Sequence, residues 1–260
     1  MEKTKYWIWF SRIKNLGSIK KQKLLKKYKI EEKWNLKQEE LMSINEIGEK
    51  TAKEILNPKY KIGIENMINQ MKKEKIKLIN IDDANYPEKL KQIYDKPISL
   101  YVKGNVEILS SFSLAVIGCR QNSKYGEEVA KAVTKGIVKN NIVTISGLAR
   151  GIDSICHIET LKNRGKTIAV IGSSLDIIYP FENKNLVDKI INNGGCIVSE
   201  YPLGTKPEKM NFPARNRIIS GLSNGVIVIE AKKKSGTMTT VDFALEQGKN
   251  VFTIPRKYNK

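Results

Sequence analysis

Short runs of β-branched and aliphatic residues recur from about residue 112 onward, and turns with glycine or small residues follow most of them. The runs are residues 113–117, 142–145, 167–171, 225–229 and 251–254. Because they lack polar alternation, they are typical of strands buried on both faces of a parallel sheet. Helical segments such as 127–138 and 239–247 separate them. The sequence therefore predicts an α/β fold with a Rossmann-like, doubly wound, mostly parallel sheet.

Residues 1–75 show helical periodicity instead. Trp7, Phe10 and Ile13 recur at helical spacing, and a turn at residues 44–48 precedes a second helical pattern. We expect a small all-helical domain over residues 1–75, similar to SAM or helix-hairpin-helix domains, and a Rossmann-like domain over residues 76–260. A hydrophobic-x-Gly turn presents backbone N–H groups to a phosphate, but ordinary helical hairpins also turn at glycine. Nucleic-acid contact and helix packing both stay open for this region.

The charge of the chain favours an anionic partner, nucleic acid above all. The formal net charge is +19, and the pI is near 9.7. A biased base composition in the source genome would also enrich lysine, which then only solvates the surface. Arginine is more informative, since only 7 of the 46 cationic residues are arginines. Guanidinium groups match phosphate oxygens with a planar fork, which ammonium groups do not.

Several glycine- and arginine-bearing loops are expected at one edge of the sheet. Doubly wound sheets bind ligands outside the carboxyl ends of their strands. This rule brings together Arg120, the loop 146–153, the turn 172–174 and the loop 234–237. Residues 211–217 place two arginines beside an aromatic ring and two amides, and we expect another loop there. Together these loops predict an anion-binding groove.

Structural alternatives exist for these residues. Arg150 is also suited to brace its own loop by pairing with the aspartate three residues later. Arg215 and Arg217 alternate in position, so one is expected to pair inward with Glu200 or Glu230 while the other faces the groove. The sequence leaves open which of the two faces out. The aromatic residue of the 211–217 segment is also suited to fill the core beneath a turn.

Cofactor and catalytic signatures are weak. The turn at residues 118–126 lacks the GxGxxG spacing and carries Arg120 where pyrophosphate would approach the backbone, which disfavours NAD or FAD. His157 is the single histidine, and its apolar neighbours at helical spacing predict a packed position inside the protein. The cysteines show no metal-binding spacing and favour a reducing compartment; they are Cys119, Cys156 and Cys196. We therefore predict no cofactor, no metal site and no enzyme activity.

The sequence contains no membrane or export signal. No run of 18 apolar residues occurs, and the N-terminus lacks the order of parts of a signal peptide. We expect a cytoplasmic protein without a membrane partner.

Five ordered motifs carry a family resemblance. They are residues 146–153 (SGLARGID), 171–180 (IGSSLDIIYP), 199–205 (SEYPLGT), 211–222 (NFPARNRIISGL) and 235–240 (SGTMTT). The series resembles the DprA/Smf family of DNA-processing proteins over roughly residues 80–256, including residues 86–87 and 101–105 ahead of the sheet. The N-terminal helices are also consistent with the helical, SAM-like leading domain of that family.

The resemblance implies a protein that binds single-stranded DNA without sequence specificity and loads a RecA-type recombinase onto it, as in natural transformation. It implies a Lys-x-x-Phe element at Lys209 and Phe212, and a groove lysine at Lys234. The candidate nucleic-acid-binding residues are then Arg120, Gln121, Ser146, Gly147, Arg150, Gly151, Lys209, Phe212, Arg215, Asn216, Arg217, Lys234, Ser235 and Gly236. Lysines and arginines would follow the phosphates while Phe212 stacks on a base.

The sequence departs from the family at its C-terminus. Family members continue beyond the last strand, whereas this sequence ends at residues 255–260. We therefore expect the DNA groove to be retained more fully than homodimer formation and the hand-off to a recombinase.

The competing interpretation is a Rossmann-like nucleotide hydrolase of the lysine-decarboxylase-like group. Those enzymes use a PGGxGTxxE turn with a catalytic glutamate, and residues 234–240 have the same layout. Thr240 stands where that glutamate would be, and no general base is evident. A nucleotide-binding sensor that uses the same edge is the remaining alternative.

Overall fold

One sheet organises the protein. Within residues 3–255, which the computed structural model describes, it contains eight strands in the order β1-β2-β6-β5-β4-β3-β7-β8. The strands are β1 (Ile76–Asn80), β2 (Ser99–Gly104), β3 (Ser113–Gly118), β4 (Val143–Ser146), β5 (Thr167–Val170), β6 (Cys196–Ser199), β7 (Gly225–Glu230) and β8 (Asn250–Thr253). Strands β3 to β8 run parallel, while β1 and β2 are antiparallel. The predicted Rossmann-like fold is confirmed.

Three strands were missed by the sequence prediction. Residues 101–105, expected ahead of the sheet, in fact begin inside β2, which pairs with both β1 and β6. The β1 run alternates with polar residues, since Lys77 is exposed, and so lacks the continuous apolar signal. The β6 run has only four residues and follows Gly194 and Gly195, which resemble a loop.

Helices cover both faces of the sheet. The helices that follow β1 are α7 (Glu88–Lys91), α8 (Lys124–Lys139), α9 (Ile152–Lys162), α10 (Lys184–Asn192), α11 (Asn211–Leu222) and α12 (Gly236–Glu246). One apolar layer unites α7, α11 and α12 with the sheet, and the opposite layers contain α8, α9 and α10. Within residues 3–255, each helix is too short or too polar to cross a lipid bilayer.

The N-terminal region is helical, as predicted. Its helices are α1 (Thr4–Arg12), α2 (Ser18–Lys27), α3 (Ile30–Lys33), α4 (Gln38–Met42), α5 (Glu49–Leu56) and α6 (Ile64–Lys73). Gly48 precedes α5, so α4 and α5 form the expected helical hairpin. Trp9 and Phe10 of α1 share an apolar core with Tyr101 of β2. The N-terminal helices therefore pack on the sheet, and the domain boundary at residues 75 and 76 stays a prediction.

The segment at residues 211–217 is not the loop that the sequence suggested, because it forms the first turns of α11. Pro213 is tolerated there, since N–H groups in the first turn of a helix have no intrahelical partner. From Arg215 to Leu222 every residue of α11 is buried. Residues 256–260, to which the expectation about the C-terminus applies, lie outside the described residues.

Candidate nucleic-acid interface

The turn after β3 presents Arg120 and Gln121 on the surface of the protein. Both side chains are exposed. The N–H of Cys119 donates to the Glu230 carbonyl at 2.8 Å, and the N–H of Ser123 donates to the Glu230 carboxylate at 2.9 Å. Glu230, one of the two expected partners for an arginine, thus braces this turn instead. A rigid backbone lowers the conformational cost when Arg120 binds an anion.

Two glycines join the loop after β4 to its neighbours. Gly151 has a φ of +75°, and a Cβ there would lie 2.4 Å from the carbonyl oxygen of Cys119. A Cβ on Gly147 would lie 2.7 Å from the Arg215 guanidinium. Both positions therefore require glycine for close packing, which brings the loops after β3 and β4 into contact.

Two predicted polar residues use their side chains inside the protein. Ser146 is fully buried, and its Oγ donates to the carbonyl oxygen of Val116 at 2.7 Å. The expectation that this side chain lines the groove is therefore wrong. Asn216 is also buried, and its Nδ2 donates to the carbonyl oxygen of Gly236 at 3.0 Å. Asn216 thereby anchors the start of α12 beside α11.

Arg150 projects from the loop after β4 and meets a carboxylate from a distant part of the chain. Its Nε and Nη2 donate to the two carboxylate oxygens of Glu182 at 2.5 and 2.8 Å. The two side chains are 60% and 53% exposed. The alternative pairing with Asp153 is therefore wrong, because that carboxylate accepts backbone N–H groups from Gly147 and Ala149 at 3.1 and 3.3 Å.

Two aromatic rings form the floor of the groove. The Phe212 ring lies 5.5 Å from the Tyr179 ring, centroid to centroid, with a tilt of 52°. Above Phe212, the Arg120 guanidinium lies 5.6 Å from the ring centroid. A Cβ on Gly172 would lie 3.0 Å from the Phe212 ring, so this glycine leaves room for it. The pocket here is lined by Arg120, Gly147, Ala149, Arg150, Tyr179, Pro180, Phe212 and Arg215.

Arg215 lies beneath this pocket and is only 4% exposed. Its Nη1 donates to the carbonyl oxygens of Gly147, at 2.6 Å, and of Val170. Burial lowers the pKa of Arg215 to about 10, which leaves the guanidinium charged at neutral pH. The side chain ties α11 to the ends of β4 and β5.

Arg217 is also turned inward, and 5% of it is exposed. Its Nη2 donates to both carboxylate oxygens of Glu200 at 2.8 Å, and its Nε pairs with the Asp95 carboxylate at 2.9 Å. The predicted inward pair with Glu200 is therefore present. Arg215 is the arginine on the groove side, since it lines the pocket from below, although little of its surface is exposed.

The predicted lysines lie on the surface at this edge. Lys209 is exposed on the segment just before α11, and Lys234 is exposed on the loop before α12. The Oγ of Ser235 donates to the carbonyl oxygen of Lys232 at 2.8 Å, which shapes that loop. Gly236 begins α12, where N–H groups of the first turn attract anions.

The resulting groove has an exposed cationic rim over an aromatic floor. It lies at the topological switch point of the sheet, where the order of the strands reverses, because β3 has β4 on one side and β7 on the other. Ligands bind doubly wound sheets at such a point. The sequence prediction missed Tyr179 and Glu182. An aromatic-proline pair after the turn 172–174 was a signal for Tyr179, but the sequence holds no signal for the partner of Arg150.

The family of the chain follows from its sequence matches. Residues 77–260 match the model of the family described as DNA recombination-mediator protein A. This chain belongs to the DprA/Smf family of DNA-processing proteins. It is 48% identical over 182 residues to the DNA processing protein DprA of Streptococcus pneumoniae, covering 70% of this chain and 64% of that protein. It is 34% identical to Protein Smf of Synechocystis over 96% of this chain and 64% of that protein.

Solved structures of the DprA/Smf family have the same architecture. DprA from Streptococcus pneumoniae superposes with a TM-score of 0.76 at 38% identity, over 97% of this chain and 87% of that one. DNA processing protein A from Helicobacter pylori, solved for its single-stranded DNA binding mode, gives a TM-score of 0.65 at 32% identity. That match covers 72% of this chain and 83% of the other. The present chain spans 64% of the length of the curated relatives from Streptococcus and Synechocystis.

Proposed function

We propose that this chain binds single-stranded DNA, without sequence preference, in the groove between Arg120 and Phe212. The observation that carries the proposal is an exposed guanidinium held 5.6 Å from an aromatic ring at the switch point of the sheet. The guanidinium binds a phosphate, and the ring stacks on a base whose identity does not matter. The single-stranded DNA binding of the Helicobacter pylori relative supports this ligand.

The same proposal places the protein in DNA processing as a mediator, which hands the bound strand to a RecA-type recombinase. The description of its family supports that role. The test is recombinase ATP hydrolysis on DNA covered by a single-strand-binding protein. We expect this chain to shorten the lag before hydrolysis, and an unchanged lag would exclude the hand-off. Homodimer formation stays a prediction, which sedimentation analysis checks.

The proposal includes no catalysis. Thr240, at the position of the hydrolase glutamate, is 2% exposed within α12. His157 is fully buried, and burial lowers its pKa to about 3, so the imidazole is neutral and out of reach of a ligand. A hydrolase would need its general base in the groove.

The groove assignment is tested by binding of dT oligonucleotides to Arg120→Ala and Phe212→Ala across a salt series. We expect Phe212→Ala to lose about 1–3 kcal/mol of binding free energy, since one stacked base is lost. Arg120→Ala should lower the slope of log K against log salt by about 0.7, the value for one phosphate of a single strand. Double-stranded DNA, titrated in parallel, should bind more weakly than the single strand.

Matched controls are available at the opposite edge of the sheet. Phe112 is an exposed aromatic residue just before β3, and Arg164 is an exposed arginine just after α9. Phe112→Ala and Arg164→Ala should bind dT as the parent does. Parental affinity of both Arg120→Ala and Phe212→Ala at every salt concentration would overturn the assignment.

A further inference from the structure

Helix α2 carries a concentration of positive charge that the groove does not use. Residues 18–29 include Lys20, Lys23 and Lys26 among six lysines, and no acidic residue. One of them, Lys23, pairs with the exposed Glu46 at 2.5 Å, an ion pair weak enough to exchange for a phosphate, whereas Lys20 and Lys26 form no ion pair among the described residues. Like charges three or four residues apart destabilise a helix. A helix that retains them against this cost is suited to an anionic partner.

The strand order places α2 at the same edge as the groove. Because β2 is antiparallel to β6, the segment that precedes β2 lies beside the carboxyl end of β6. Gln22 of α2 donates through Nε2 to the carbonyl oxygens of Tyr94 and Lys96, both at 3.2 Å. From the other side, Arg217 of α11 donates to the carbonyl oxygen of Asp95 at 3.0 Å. The segment at residues 94–96 is therefore held between α2 and α11.

Tyr94 stands on this fixed segment with 80% of its surface exposed. Its backbone is tied to α2 through Gln22, and that of the next residue is tied to α11 through Arg217, so Tyr94 belongs to the segment that joins the two helices. Met210, just ahead of α11, is exposed too. An aromatic face between two cationic surfaces is the arrangement that single-stranded nucleic acid uses, with bases on rings and phosphates on cations.

We propose that the DNA strand held at Arg120 and Phe212 continues across Tyr94 onto α2, where Lys20, Lys23 and Lys26 bind its phosphates. The inference rests on the proposed function. In the sheet β3 and β2 are four positions apart, which is about 19 Å at 4.8 Å per strand. Only an oligonucleotide longer than the groove itself can reach the helix. The three lysines follow each other at spacings of three residues and form one stripe.

The test compares a short and a long dT oligonucleotide, of about 5 and about 25 nucleotides, on the full chain. The variant is Lys20→Gln/Lys23→Gln/Lys26→Gln, because glutamine has nearly the helix propensity of lysine. The matched control removes three exposed lysines from the distant parts of α8 and α10, as Lys135→Gln/Lys139→Gln/Lys189→Gln. Circular dichroism checks that both variants retain the helical content of the parent.

We expect the α2 variant to bind the short oligonucleotide like the control and the long one more weakly. Its salt slope on the long oligonucleotide should fall by about 2, which is 0.7 for each of three lost phosphate contacts. Tyr94→Ala should weaken only the long oligonucleotide, and Tyr94→Phe should restore it. Parental affinity and slope on the long oligonucleotide would overturn the proposal, as would equal weakening of both lengths.

Failure of the proposed function looks different. In that case the parent fails to bind either oligonucleotide, or Arg120→Ala and Phe212→Ala leave the binding of the short one unchanged. If α2 instead serves an acidic protein, its lysine variant binds both lengths as the parent does, which counts against the DNA path. Preference for a duplex over the long single strand would count against it as well.

Discussion

The rim and the interior of the sheet's carboxyl edge use arginine in opposite ways. On the rim, Arg120 and Arg150 are exposed and reach the groove from turns after β3 and β4. In the interior, Arg215 and Arg217 lie on α11 within a few residues of the groove floor, yet both are buried. Rim arginines are free to exchange a partner for a phosphate. Interior arginines are already committed to carbonyl and carboxylate oxygens, so they hold the loops in place.

The difference shows that residue type alone does not identify a DNA contact. Arg217 offers the same fork as Arg120, but it binds Glu200 and Asp95, and its loss would leave two carboxylates without their cation. Among the described residues, Arg120 has no ion pair, and its guanidinium lies over the Phe212 ring. A substitution in the interior should therefore cost stability, and one on the rim should cost affinity.

The largest effect is expected for Arg217→Ala. Removal of one member of a buried ion pair costs up to about 3–5 kcal/mol, and here Glu200 and Asp95, which are 23% and 31% exposed, would remain partly desolvated without their cation. We expect a loss of this size in the free energy of unfolding, measured by urea denaturation. Arg120→Ala, the rim counterpart, should unfold at the urea concentration of the parent. A loss below about 1 kcal/mol for Arg217→Ala would mean that the interior ion pairs do not hold α11.

The second-largest effect is the loss of stability at low pH that is expected from the burial of His157. His157 is fully buried; its Nδ1 lies 2.8 Å from the Thr167 hydroxyl, and burial lowers its pKa to about 3. The unfolded chain has a histidine pKa near 6.5, so between about pH 6.5 and 3 the unfolded state binds the additional proton. Stability is therefore lost as the pH falls through this window, by up to about 1.4 kcal/mol per pH unit.

At pH 5 this histidine should lower the free energy of unfolding by about 2 kcal/mol relative to pH 7. The measurement is the difference in pH slope between the parent and His157→Gln, which removes other titrating groups from the comparison. The chain has one histidine, so NMR of the untagged protein follows a single imidazole. We expect no titration between pH 8 and 5, whereas a midpoint near 6.5 would show an exposed ring.

The rim could be predicted from the sequence because strand direction alone determines it. Once the runs at residues 113–117 and 142–145 are strands of one parallel sheet, the turns after them share an edge, and Arg120 lies there. The inward position of one α11 arginine could also be predicted, because Glu200 and Glu230 lie at the ends of strand-like runs and offer carboxylates with which an arginine can pair.

The interior could not be predicted in the same way, since it depends on packing. Arg215 and Arg217 alternate along the chain, which in a loop would place them on opposite sides. In a helix they are about 200° apart, yet both directions are covered, by the sheet and by neighbouring segments. Contacts between segments that are far apart in the sequence could not be predicted either. Glu182 accepts hydrogen bonds from Arg150, which lies 32 residues away in the sequence, and Gln22 donates to the carbonyl oxygen of Tyr94, which lies 72 residues away.

The smallest effect is expected at the rim, where Glu182 competes with phosphate for Arg150. Glu182→Gln keeps the shape of the side chain but removes the negative charge that holds the guanidinium at 2.5 Å. Because exposed ion pairs are weak, we expect single-stranded DNA to bind only a few-fold more tightly, and the gain to shrink as salt rises. Glu49→Gln, which breaks the exposed Lys53 pair on α5, is the control and should bind as the parent does. Unchanged or weaker DNA binding by Glu182→Gln at low salt would mean that Arg150 holds its loop in place, as Arg215 and Arg217 do, and does not bind DNA. A gain would instead show that the ion pair opens when the strand binds, which makes Arg150 a second cation of the rim beside Arg120.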